Sequence, residues 1–288
     1  MPRFFWLAAL LAAPLAAAAQ ATTPAPPAEA SAAGATPPRL TVGISTANRT
    51  VYLQRAPQSA DDRGYLGTTL TYQAPSGFLA SGYLNHSYAY TFLSEPFINF
   101  GEATVGWQST GSSNTYWTAQ YTRLFVYGES ALVQASLRND LSAEVTHYFD
   151  WLTASASADL FFGNQSDFVL TLDVGHPFEL PVLAHDTLTI EPTVEFGAGS
   201  QRFYAASLGK TSEVIRTRKN GTTVTTFREP STPGFAALGY TLSLPVTYRA
   251  RRFSVAATPS YLVPVNLPAG GDGRSFFYGT LGVSFFLW

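Results

Sequence analysis

The feature that most constrains this chain is one long alternation, TLTIEPTVEFGAGS, from Thr187 to Ser200. Leu188, Ile190, Pro192, Val194, Phe196 and Ala198 share one parity, and Thr189, Glu191, Thr193, Glu195, Gly197 and Gly199 share the other. Successive side chains of a strand point to opposite faces, so the run has an apolar face and a polar one. In a helix the same apolar positions would scatter around the axis, and Pro192 would break it. The stretch reads as a strand. Globular strands usually stop near five or six residues, whereas a tilted membrane-crossing strand needs about 9–11. The rest of the chain must decide whether the apolar face meets a protein core or hydrocarbon.

Comparable alternations recur from residue 40 to the end and predict about twelve strands, within a range of 10–14. They fall near 40–54, 65–73, 78–90, 97–109, 115–127, 140–149, 151–163, 168–179, 187–203, 235–248, 253–264 and 275–288. Leu152, Ala154, Ala156, Ala158 and Leu160, for example, oppose Thr153, Ser155, Ser157 and Asp159. Residues 97–109 fit only with a bulge. After the first residues there is no apolar run of 18, so no helix is expected to span a membrane. Charged residues are scarce (12%), aromatics abundant (14%) and the net charge is −2, which argues against nucleic acid as a partner. A chain of this kind can still span a membrane as a closed barrel.

Residues 1–19 read as a secretory signal peptide: Arg3, an apolar core from Phe4 to Leu15, and an A-x-A site in Ala16–Ala19. Residues 20–38, rich in Ala and Pro, are expected to be a disordered periplasmic segment, leaving 39–288 for the barrel. There is no cysteine, hence neither a disulfide nor a cysteine-linked lipid.

Connections alternate in length. Ala74–Gly77, Thr110–Asn114, Asp150, Pro181–Asp186 and Ala250–Arg252 are brief, whereas 56–63, 91–96, 128–139, 164–167, 204–234 and 265–274 tend to be longer. Short periplasmic turns and long extracellular loops are the pattern of outer-membrane barrels. An even strand count also puts both ends of the barrel on the periplasmic side. Tyr72, Phe78, Trp107, Trp117, Phe149, Trp151, Phe178, Tyr248 and Phe253 gather at the short-turn rim. Tyr65, Tyr88, Tyr90, Phe97, Phe125, Tyr127, Phe161, Phe168, Phe203, Phe235 and Phe277 gather at the other. Two girdles of amphipathic rings are expected at headgroup depth.

The last strand, FFYGTLGVSFFLW, ends with Phe286 and Trp288 as an aromatic-x-aromatic pair. With the signal peptide and the alternation over 40–288, the chain resembles bacterial outer-membrane β-barrel proteins of Gram-negative type, and its first half, with NRTVYLQR at 48–55 and the hairpins after it, resembles small barrels of this class. The resemblance implies that Phe286 and Trp288 are read by the barrel-assembly machinery. Leu281, Val283 and Phe285 lie on the opposite parity from Phe286 and Trp288, so either a bulge resets the faces or the lipid face near the terminus is reversed.

The polar face carries small residues, among them Ser155, Ser157, Thr193, Gly197 and Thr241, so a twelve-strand lumen is expected to hold unfilled room. From 139 to 201 there are ten acids and no Lys or Arg. Glu144, Asp159, Asp173, Glu191 and Glu195 share the inward parity and form an expected acidic wall that would favour cations. The alternative is a static network in which Arg49 and Arg123 neutralise it, although Arg123 has outward parity unless its strand slips.

The longest loop carries Lys210, Arg216, Arg218, Lys219 and Arg228 around Asn220–Gly221, a hairpin signal, on arms rich in β-formers. That basic hairpin is placed outside the cell, near lipopolysaccharide phosphates. It is otherwise a solvated extension of two barrel strands, or a plug folded against the acidic wall.

His86, His147, His176 and His185 make no catalytic or zinc-type pattern; His86 and Ser87 fall on opposite faces. The expectation is therefore no enzyme, no cofactor and no metal. The sequence reads as an outer-membrane pore for small polar, cation-leaning solutes, or else as a plugged structural or surface-binding barrel with working outer loops. Its solute and oligomeric state are not legible in it.

Overall fold

The computed structural model describes residues 38–48, 64–87, 100–110, 114–126, 137–163, 166–183, 186–200, 202, 212–217, 223–228, 234–266 and 273–287. The expected signal peptide and lead-in, Arg49 and Trp288 lie outside these residues. The strands are β1 (Arg39–Ala47), β2 (Tyr65–Gln73), β3 (Phe78–Ser87), β4 (Phe100–Gln108), β5 (Thr115–Val126) and β6 (Leu137–Tyr148). They continue as β7 (Thr153–Gly163), β8 (Ser166–Gly175), β9 (Phe178–Leu183), β10 (Asp186–Ile190), β11 (Thr193–Gly199) and β12 (Ser212–Thr217). The last are β13 (Thr223–Arg228), β14 (Ala236–Ser243), β15 (Val246–Arg249), β16 (Phe253–Pro264) and β17 (Phe276–Phe286).

Fifteen of these form one antiparallel sheet, in which β1 pairs with both β2 and β17, and β14 pairs with both β11 and β16. The sheet closes on itself. Three of its strands are each written as two segments, because proline has no N–H to give the ladder. Pro177 parts β8 from β9, Pro192 parts β10 from β11, and Pro245 parts β14 from β15. Register runs unbroken through each gap: Thr193 faces Gly175 and Ile190 faces Phe178 across the first pair. Flanking N–H groups carry the ladder, with His176 N–H donating to the Pro192 carbonyl (3.2 Å) and Glu191 N–H to the Pro245 carbonyl (2.9 Å). Rejoined, the segments give a ring of twelve strands.

The two faces differ as the alternation predicts. Leu172, Val174, Val194, Leu242 and Phe285 are exposed on the outside, Leu172 by 54%. An exterior of such residues in every direction has no protein to cover it, which is the surface that hydrocarbon solvates. Among the described residues no helix is long and apolar enough to cross a membrane, so any crossing is made by strands. Trp107, Trp117, Phe149, Trp151 and Phe178 ring the short-turn rim on the outer face. Phe78 and Trp107 meet edge-on at 5.2 Å. At the long-loop rim, Phe125, Phe168, Phe235 and Phe277 also face out.

Turn chemistry fixes the short rim. Gly77, at φ 89°, ends a turn in which its N–H donates to the Ala74 carbonyl (3.0 Å). Phe149 N–H reaches the Leu152 carbonyl and Ala250 N–H the Phe253 carbonyl, at 2.8 and 2.9 Å.

Four expectations change. Across Phe100–Gln108 β4 contains no bulge, since its registers with β3 and β5 are continuous; residues 97–99 of the expected strand lie outside the described residues. The last strand needs neither a bulge nor a reversed face: its registers with β1 and β16 are continuous, Phe285 and Leu287 are exposed outside, and Phe286 turns inward. The strand expected to stop at 179 continues through β9 to Leu183, shortening its turn. β12 and β13 do form a hairpin, but Thr217 faces Thr223, one residue out of step with a two-residue turn at Asn220–Gly221. Lys210, Arg218 and Lys219 lie outside the described residues.

Candidate functional site in the barrel lumen

The inner face is built from alternate residues of every strand, and all five acids of the expected wall lie on it. Glu144 on β6 stands between Thr118 and Ser157 on the neighbouring strands. Its Oε1 accepts a hydrogen bond from Thr146 Oγ1 (3.2 Å). Asp159 on β7 faces Ser142 and takes a long bond from Ser157 Oγ (3.4 Å). Asp173 on β8 and Glu195 on β11 are direct cross-strand partners. Two carboxylates so placed repel when both are charged, and the repulsion is relieved by water, a cation or a proton held by one of them. Glu191 occupies the proline kink between β10 and β11.

Four further acids of inward parity escaped the sequence reading, one of them Glu179 on β9, which faces Thr189 near the short turns. Glu102 shares a face with Phe100, Thr104 and Gly106, an alternation masked by the supposed bulge. Asp140 has the same parity as Ser142 and Glu144, so its signal was present and overlooked. Asp167, assigned to a loop, is instead on β8. There it accepts bonds from Ser200 Oγ (2.5 Å) and Arg202 N–H (2.8 Å), which ties the chain beyond β11 to β8.

Arg123 is not a lumen counter-charge. It lies on the outer parity with Tyr121 and Phe125, and its Nη1 and the Tyr121 hydroxyl both donate to Asn139 Oδ1 at 2.7 Å. Among the described residues, Arg39 on β1 and Arg249 on β15 have inward parity at the short-turn rim. Their guanidinium carbons stand 4.1 and 5.7 Å from the centre of the Phe286 ring. The inward turn of Phe286 thus gives both arginines an aromatic partner.

The lumen is not uniformly roomy, which corrects the expectation of small residues throughout. Near the long-loop rim, inner positions carry Ala47, Tyr65, Phe100, Leu124, Phe161, Val169, Leu238, Leu262 and Phe276, all buried. Tyr65 and Phe161, expected in the outer girdle, belong to this layer. A bulge between β11 and β14 turns Leu238 and Gly239 inward together. Gly67 leaves the space beneath the Tyr83 ring, which packs edge-on against Tyr65 and Phe100 at 6.5 and 6.4 Å. Toward the short turns the inner face opens into Ser155, Ser157, Thr189, Thr193, Glu144, Asp173, Glu191 and Glu195.

The histidines sit apart from this interior. His147 is on the outer parity, where its Nδ1 bonds Thr115 Oγ1 (2.7 Å) and its ring meets Phe149. His176 lies at the Pro177 kink, bonded to the Trp151 carbonyl. His86 is buried on outward parity, and His185 lies outside the described residues.

No family model and no curated protein sequence matches the chain. Several solved structures are similar in fold. The KdgM porin is 9% identical over 86% of this chain and 98% of its own, with a TM-score of 0.46. LpxR from Salmonella typhimurium is 10% identical over 85% and 99%, at 0.45. The COG4313 outer membrane channel from Pseudomonas putida F1 is 10% identical over 88% and 96%, at 0.43. The chain is a closed antiparallel β-barrel of twelve strands. Its own closed ladder and apolar exterior carry that description.

Proposed function

We propose that this barrel is an outer-membrane pore for small polar solutes with a preference for cations. The observation that carries the reading is the inner face between residues 139 and 201, where Glu144, Asp159, Asp173, Glu191 and Glu195 share one side, Asp173 and Glu195 face each other across β8 and β11, and no Lys or Arg occurs. In a narrow, low-dielectric passage one sign of charge concentrates its counter-ions. Long loops then face the outside and short turns the periplasm. Zero-current potentials in planar bilayers under a KCl gradient test it. A potassium-selective reversal potential is expected, and anion preference or no conductance would remove the proposal.

A second reading draws on the apolar layer. Its buried rings fill the lumen near the long loops, as in a plugged barrel whose outer loops do the work. The expected lipopolysaccharide contacts of Arg216 and Arg228 belong to either reading, as does recognition of the last strand by the assembly machinery. With Phe286 turned into the lumen, that recognition would act before closure, or through Phe285 and Leu287 outside.

A further inference from the structure

The loop-side layer is apolar, yet it contains acceptors with nothing to accept. Asp140, 4% exposed, has its Oδ1 buried without a hydrogen-bond partner. Asn85, 3% exposed, has the same deficit at its own Oδ1, while its Nδ2 donates to the Tyr83 hydroxyl (3.1 Å). Both residues are on the inner parity, on different strands. A buried polar group without a partner asks for an explanation.

The surroundings narrow what the missing donor is. Asp140 faces Phe161 across β6 and β7, Asn85 faces Phe100 across β3 and β4, and Glu102 faces Tyr83. Asp140 lies within electrostatic range of both Asp159 and Glu102. Stepping from β4 to β7, the inner positions Glu102, Asp140 and Asp159 shift down their strands as strand tilt demands for residues at one height. Carboxylates therefore alternate with rings around one arc of the lumen. Among the described residues no group of three His, Cys, Asp or Glu is arranged to hold a metal ion. An ammonium head suits the arc instead. It carries three N–H donors and one positive charge, and aromatic faces attract it. An alkyl body would cover the apolar remainder of the layer.

We propose that Glu102, Asp140 and Asp159, with the rings of Tyr83, Phe100 and Phe161, bind a primary alkylammonium ion in the loop-side lumen. This rests on the cation-leaning pore reading and names its solute class: small organic amines with an apolar body.

The test is calorimetric titration of n-butylammonium chloride into the full barrel refolded in detergent, with folding checked by heat-modifiable gel mobility. Saturable binding at one site is expected, weakened at least tenfold in both Asp140→Asn and Glu102→Gln. Glu179→Gln, an exposed carboxylate near the short turns, should leave it unchanged, and 1-butanol should bind far more weakly. If one variant does not fold, the other carries the comparison. No saturable binding, or equal binding by wild type and the folded variants, overturns the site even if the barrel conducts and selects cations. Binding without conductance would uphold the site and remove the pore.

Discussion

Phe161 and Ser157 stand four residues apart on the inner face of β7, and their surroundings are opposite. Phe161 is 1% exposed inside a layer of aromatic and aliphatic side chains, whereas Ser157 borders a half-open wall and donates to Asp159. The same strands thus line a packed half and a wet half of one lumen. Alternation tells which way a residue points. It does not tell how crowded the place is that it points into, because crowding depends on what eleven other strands send to the same height. Stability should therefore reside mainly in the loop-side half, and charge selection in the turn-side half.

Removing the ring tests the packed half most strongly. Phe161→Ala should cost about 3–5 kcal/mol, as emptying a buried aromatic site does, and be seen as a lower unfolding midpoint in urea by heat-modifiable mobility. The same change should raise single-channel conductance if the layer is the constriction. An unchanged midpoint would mean that the layer is not packed. Asp167→Ala, which removes the acceptor for Ser200 and Arg202, should cost about 1–3 kcal/mol by the same measurement.

Ser157→Ala, in the wet half, should cost no more than about 1 kcal/mol, the worth of one long hydrogen bond. Glu195→Gln should leave stability unchanged or slightly higher, since it relieves the facing pair with Asp173, and should lower cation selectivity in the reversal potential. The smallest effect is expected from Arg249→Gln at the short-turn rim, a change in current rectification without loss of folding.

Much of the ring was legible because its strands are long and each buries one face only. The spans expected at 65–73 and 253–264 coincide with β2 and β16. Glu144, Asp159, Asp173, Glu191 and Glu195 project inward as parity required. What escaped has local physical causes. Three prolines break the ladder without ending the strands, and Pro181 looked like the start of a turn although its strand runs on to Leu183. Glu102 was hidden by the bulge expected in its strand, which left its parity unassigned. Phe286 looked out of register because an aromatic was assumed to want lipid, whereas its ring partners Arg39 and Arg249 inside. Asp140 and Asn85 could not stand out in a sequence, since a missing partner is visible only when every neighbour is placed.

The most direct test of the central claim uses the absence of native cysteine. Nitroxide labels at Val194→Cys and, separately, at its neighbour Thr193→Cys, in bilayer-reconstituted protein, report collisions with oxygen, which concentrates in hydrocarbon, and with a water-soluble nickel chelate. The account predicts oxygen-dominated relaxation at 194 and no such dominance at 193, with the same reversal at 172 and 171. Equal chelate access at both sites of each pair, or a mature chain that stays monodisperse without detergent, would contradict it.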